Sequence, residues 1–66
     1  MLKTFLRIGS VVRVTGLPKA TVYAEVGKGK FPKPIKIGKR SSAWLESEVA
    51  EWQKARIAER DATVRR

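Results

Sequence analysis

Cysteine and histidine are both missing from this 66-residue chain. Without cysteine, neither a disulfide nor a thiolate metal site can staple it. Without histidine it lacks the commonest zinc ligand and the commonest general base. Acid is scarce as well: residues 1–45 hold a single carboxylate, Glu25. No acid–base pair, metal cluster or activated nucleophile can be assembled from such a set, so no catalysis, cofactor or metal is expected. Long apolar runs are also lacking. No stretch approaches the ~20 residues of a membrane helix, and the N-terminus has no signal-peptide h-region. A small cytoplasmic protein with no membrane partner is the expectation. At this length the chain forms one domain and buries only roughly 60% of its unfolded surface, so the core is small.

Positive charge is abundant. Fifteen Lys and Arg stand against six acids, a net +9. Residues 1–45 carry ten of the bases with the single acid, while residues 46–66 carry five of each sign. The whole net charge therefore lies in the first two thirds, the footprint of a surface that binds a polyanion by releasing counterions from phosphates. Charge alone equally describes a very soluble basic surface. The composition is 42% hydrophobic, with two Trp, two Phe and one Tyr, enough for a packed core rather than a disordered chain.

Two amphipathic segments meet at Gly16-Leu17-Pro18. The first follows Phe5-Leu6-Arg7-Ile8, which reads as a short strand or an extended lead-in. It is expected to be capped by Ser10, to contain Val11, Val12 and Val14, and to end where Gly16 takes the left-handed conformation. Leu17 then enters the core. Pro18 suits the first position of the second helix, where its missing N–H is harmless, and the helix runs to about Gly27. Val22 and Val26, four apart, share its inner face. Lys19, Ala20 and Thr21 occupy its first turns. Tyr23 is either a core aromatic or a phosphate contact through its hydroxyl, and Glu25 pairs with a nearby lysine. A helix of this length fits the major groove of DNA.

Gly27-Lys28-Gly29-Lys30 ends that helix, and Phe31-Pro32-Lys33-Pro34 holds an extended loop anchored by Phe31. Lys28, Lys30 and Lys33 either flank a DNA backbone or belong to a solvated loop. Ile35-Lys36-Ile37 and Ser42-Ala43-Trp44-Leu45 alternate across a glycine-containing turn and read as a β-hairpin, with Ile35, Ile37 and Trp44 facing inward. Lys39, Arg40, Ser41 and Ser42 lie at its tip. A basic hairpin after such a helix is a wing, suited to the adjacent minor groove or its phosphates. A last helix starts near Ser47 or Glu46, presents Val49 and Trp52 to the core, and is expected to fray from Glu59. With only about three turns it offers no heptad seam, so a monomer in solution is expected. The expected fold is mainly α with a small β-hairpin: a winged helix–turn–helix of three helices plus a wing at 1–58, and a frayed polar tail at 59–66.

Taken in order, Leu6-Arg7-Ile8, Thr15-Gly16-Leu17-Pro18-Lys19-Ala20-Thr21-Val22-Tyr23, Phe31-Pro32-Lys33-Pro34-Ile35-Lys36-Ile37-Gly38-Lys39-Arg40 and Trp44-Leu45-Glu46-Ser47-Glu48-Val49 with Trp52 resemble the AlpA-type prophage regulators, close to small phage excisionases and to MerR-like winged helix–turn–helix proteins. The resemblance covers roughly residues 5–58. It implies a bacterial, nucleoid-associated protein that binds double-stranded DNA and regulates transcription of a prophage or integrase gene. Alternatively it implies an excisionase, a recombination directionality factor that binds tandem sites side by side with further copies of itself and bends DNA for a phage integrase. Pro18 stands where such proteins more often have a serine cap. Ala20 and Ala24 stand where they often have larger polar or basic side chains, which shifts the weight of DNA contact to Lys19, Thr21 and the wing. The candidate DNA-contact set is Lys19, Ala20, Thr21, Tyr23, Lys28, Lys33, Lys36, Lys39, Arg40, Ser41 and Ser42. From other classes, an RNA-binding basic protein or a protein-interaction adaptor also fits the charge.

Overall fold

The computed structural model describes residues 2–64. Its elements follow one another as β1 (Phe5–Leu6), α1 (Ile8–Thr15), α2 (Lys19–Gly27), β2 (Ile35–Lys36), β3 (Ser42–Leu45) and α3 (Glu46–Val64). Three helices and a small antiparallel sheet make a winged helix–turn–helix.

Helix α1 is rich in valine, a weak helix former, and owes its stability to what it buries. Ile8, Val11 and Thr15 recur at helical spacing, and Val11 is fully buried. The helix starts two residues before Ser10. Arg7 is the N-cap with extended backbone and no side-chain capping bond, and its carbonyl accepts from the Val11 N–H at 3.0 Å. Ser10, expected as the cap, lies inside the helix and accepts from the Arg13 guanidinium at 3.1 Å. At the other end Gly16 has φ 77, and its N–H donates to the Val12 carbonyl at 2.9 Å. Thr15 closes the turn with its side chain: its hydroxyl donates to the Val11 carbonyl at 2.7 Å and accepts from the Leu17 N–H at 3.2 Å.

Pro18 is displaced by one position from its expected place. It is the N-cap of α2, with ψ 153, and its carbonyl accepts from the Val22 N–H at 3.0 Å. The ring restricts φ but leaves ψ free to stay extended, so the helix begins at Lys19. Val22 is fully buried and Val26 packs beside the core.

The sheet has three strands, in the order β1-β3-β2. The expected hairpin is thus completed by a strand from the N-terminal lead-in: Phe5 pairs with Leu45 and Leu6 with Trp44, while Ile35 pairs with Ala43 and Lys36 with Ser42. Cross-strand partners share a face. The register therefore sends Trp44 and Leu6 to the core and sets Ile35 on the opposite face with Ala43, Leu45 and Phe5. Ile35 and Ile37 are 37% and 42% exposed, contrary to the inward orientation expected of them.

The core consists of Val11, Val22, Phe31, Trp44 and Val49, ringed by Leu6, Ile8, Leu17, Val26 and Trp52. Trp44 has no solvent exposure, and its indole N–H donates to the Pro32 carbonyl at 2.7 Å. Phe31 meets Trp44 and Trp52 edge-on, at centroid distances of 6.4 and 5.1 Å. Helix α3 continues past the expected fraying point at Glu59 as far as Val64. Ala58 and Ala62 favour helix, and the pairs Arg56–Glu59 and Arg60–Asp61 lie along the same stretch. The last two residues of the expected tail, 65 and 66, lie outside the described residues.

Candidate nucleic-acid interface

The turn Thr15–Pro18 fixes the angle between α1 and α2, and α2 presents its first turn outward. Lys19 and Ala20 are exposed and Thr21 is half-buried beside the fully buried Val22. This end of the helix has no side-chain cap and no acid in its first turn, so its free backbone N–H groups and its dipole both favour an anion.

Tyr23 packs beside the core and also reaches the surface. Its ring lies 5.9 Å from that of Trp44, tilted by 55°, yet the residue remains 44% exposed. The ring thus contacts a core aromatic while part of the residue stays at the surface.

Further along, Lys28, Lys30 and Lys33 are all exposed on the segment between α2 and β2. Gly29, with φ 76, turns the chain, and the Lys30 N–H returns to the Glu25 carbonyl at 2.9 Å. Lys28 also reaches the Glu25 carboxylate at 3.6 Å. The only acid of residues 1–45 is thereby neutralised by a neighbour, as its position suggested.

The wing is closed by the Ile37 N–H donating to the Ser41 carbonyl at 2.9 Å, and Gly38, Lys39 and Arg40 form its exposed tip. The Lys36 ammonium donates to the Lys39 carbonyl at 3.3 Å, which ties the strand to the tip. Ser41 and Ser42 are half-buried; Ser42 is held in the ladder opposite Lys36. Of the candidate residues, Lys19, Ala20, Thr21 and Tyr23 fall on α2, Lys28 and Lys33 on the connecting segment, and Lys36, Lys39, Arg40, Ser41 and Ser42 on the wing. Trp44 joins these parts, since it touches Tyr23, Phe31 and the Pro32 carbonyl. The sequence marked Trp44 as core. Its link to Tyr23 was not visible there, because it depends on how the sheet docks on α2.

Comparison with known proteins gives one consistent result. Residues 4–57 match the sequence profile of the family described as prophage CP4-57 regulatory protein (AlpA). The chain is 43% identical over 56 residues to a protein of Enterobacteria phage P4 called uncharacterized protein ORF88, an alignment covering 85% of this chain and 64% of that protein. It is 34% identical over 53 residues to the DNA-binding transcriptional activator AlpA of Escherichia coli (strain K12), covering 71% of this chain and 76% of that protein. The chain thus spans just under two thirds of the length of the phage protein.

Proposed function

This chain belongs to the AlpA family of prophage regulatory proteins, and from that membership we propose that it binds double-stranded DNA as a transcriptional regulator of a prophage or integrase gene. The observation that carries the reading is the run of exposed cations along α2, the segment after it and the wing: Lys19, Lys28, Lys30, Lys33, Lys36, Lys39 and Arg40. In this reading α2 enters the major groove by its N-terminal turn. Lys19 meets a phosphate or a guanine edge, and Thr21 meets a phosphate or a thymine methyl. Ala20 lets the helix backbone approach closely. Tyr23 directs its hydroxyl to the backbone, and Lys28 and Lys33 flank it. The wing lays Lys39 and Arg40 along the neighbouring minor groove, where a narrow groove attracts arginine. Lys36, Ser41 and Ser42 support the tip. Phosphate contact and DNA shape contribute more than base edges do, because α2 offers few side chains able to read bases.

No step in this function needs a cofactor, a metal or a catalytic group. The test is footprinting on the DNA that flanks its own gene, together with affinities for duplex DNA, duplex RNA and single strands. Preference for duplex DNA with one protected site at a promoter is the expected result. Tandem sites beside an integrase attachment site would assign the excisionase role instead, and equal or better binding to RNA would overturn the reading.

A further inference from the structure

The first turn of α2 has little packing of its own to hold it. Lys19 and Ala20 are exposed, and the residues that anchor the helix in or against the core, Val22 and Val26, come after them. On its other side this turn is held by the link Gly16-Leu17-Pro18, and each residue of the link is fixed by a different device. Gly16 takes φ 77, and its N–H donates to the Val12 carbonyl at 2.9 Å. The ring of Pro18 sets its own φ and keeps Leu17, the residue before it, out of the helical region. The Leu17 N–H depends on a side chain: it donates to the Thr15 hydroxyl at 3.2 Å. That hydroxyl spends its single proton on the Val11 carbonyl at 2.7 Å, which leaves a lone pair for Leu17. Thr15 is half-buried. The same end of α1 is tied to α3 by the Gln53 amide, which donates to the Val14 carbonyl at 2.8 Å. Strand β1 leads into α1 and pairs with β3, the second strand of the wing, so α1 and the wing share one frame.

We propose that Thr15 is a positioning residue for sequence recognition: its hydroxyl sets where the Lys19–Thr21 turn stands relative to the wing, without itself touching DNA. The inference rests on the DNA-binding reading and names what that reading needs to be selective. Contact with a base edge requires side chains held to within about 0.5 Å and 10–20°. Neutralising phosphates requires only that the cations lie near the backbone. Thr15 carries no charge, and removing its hydroxyl leaves all fifteen Lys and Arg in place. Selectivity and general affinity therefore separate at this residue. Thr15→Val keeps the shape and drops the hydroxyl, leaving the Leu17 N–H without its acceptor. Thr15→Ser keeps the hydroxyl and drops the methyl.

The natural chain, Thr15→Val and Thr15→Ser, each shown to be folded by circular dichroism at the assay temperature, are titrated with the duplex protected in footprinting and with a scrambled duplex of equal length. Thr15→Val is expected to lower the preference for the protected duplex roughly tenfold, with its affinity for the scrambled duplex and its salt slope unchanged. Thr15→Ser is expected to restore the preference. A preference that Thr15→Val keeps in full overturns the inference and leaves the DNA-binding reading standing. So does a loss that Thr15→Ser shares, or one that falls equally on both duplexes. A natural chain with no preference between the duplexes overturns the inference together with selective DNA binding. Amide hydrogen exchange of the natural chain without DNA gives a test that needs no variant. The Leu17 N–H is expected to exchange much more slowly than that of Lys19, which lies at the uncapped start of α2. Equal rates mean that the hydroxyl does not hold the link, and they overturn the inference.

Discussion

Trp44 carries more of the structure than any other side chain. It is fully buried, meets Tyr23 and Phe31, and holds the Pro32 carbonyl with its indole N–H. Truncating a buried tryptophan typically costs about 3–5 kcal/mol, comparable with the whole stability of a domain this small. The surface cations have the opposite character, lying outside the core. Lys19→Ala and Thr21→Ala are expected to weaken specific sites by about 1–3 kcal/mol if those side chains read bases. Arg40→Ala should instead weaken all sequences to a similar extent. Competition binding with specific and scrambled duplexes separates the two patterns, and unchanged binding by Arg40→Ala would make the wing purely structural. Several of these residue roles could be read from the sequence: Phe31 as the loop anchor, Trp44 as core, and Glu25 as the partner of a nearby lysine, which is Lys28. The orientation of Ile35 and Ile37 could not. Alternation shows that two residues share a face, but register decides which face, and a shift of one residue exchanges them. Trp44 and Ile35 cannot face the same way when Ile35 is paired with Ala43.

Among the elements, α1 and α2 were legible because Gly16 and the Gly27–Gly29 region punctuate them and valines mark the buried faces. The exact starts were less legible. Neither helix has a side-chain capping bond, so the signal sought at Ser10 had no counterpart. Strand β1 was ambiguous because two residues carry too little pattern, and its partner β3 lies far along the chain. The reach of α3 was missed because a polar helix sustained by alanines and local ion pairs has no apolar stripe to announce it. Two glycine substitutions probe the helix ends. A Cβ at Gly16 would meet nothing within 4 Å, but φ 77 is unfavourable for any side chain. Gly16→Ala should therefore destabilise by about 1–2 kcal/mol. Gly27 is the last residue of α2 and equally open, so Gly27→Ala should stabilise by about 0.5–1 kcal/mol. Thermal melts followed by circular dichroism should show shifts of opposite sign. Equal shifts would contradict the backbone assignment.

Across the whole molecule, charge is divided between a basic two thirds that includes the helix–turn–helix and wing, and a last helix whose segment balances both signs. If six or so cations contact phosphates, the binding constant should fall with salt to roughly the −5 to −6 power. A titration with a fixed duplex measures this, and a slope near −1 would mean that the exposed cations do not meet the DNA.

The pairing of β1 with β3 also has a consequence for how the chain reaches this fold. Leu6 and Trp44 are ladder partners although both helices of the helix–turn–helix lie between them. Local contacts can assemble α1 and α2 early, whereas the sheet must wait until a loop spanning most of the chain has closed. On a ribosome, the helix–turn–helix is made and able to collapse before the N-terminal strand has a partner. The wing takes its final position only when the residues leading into α3 have emerged.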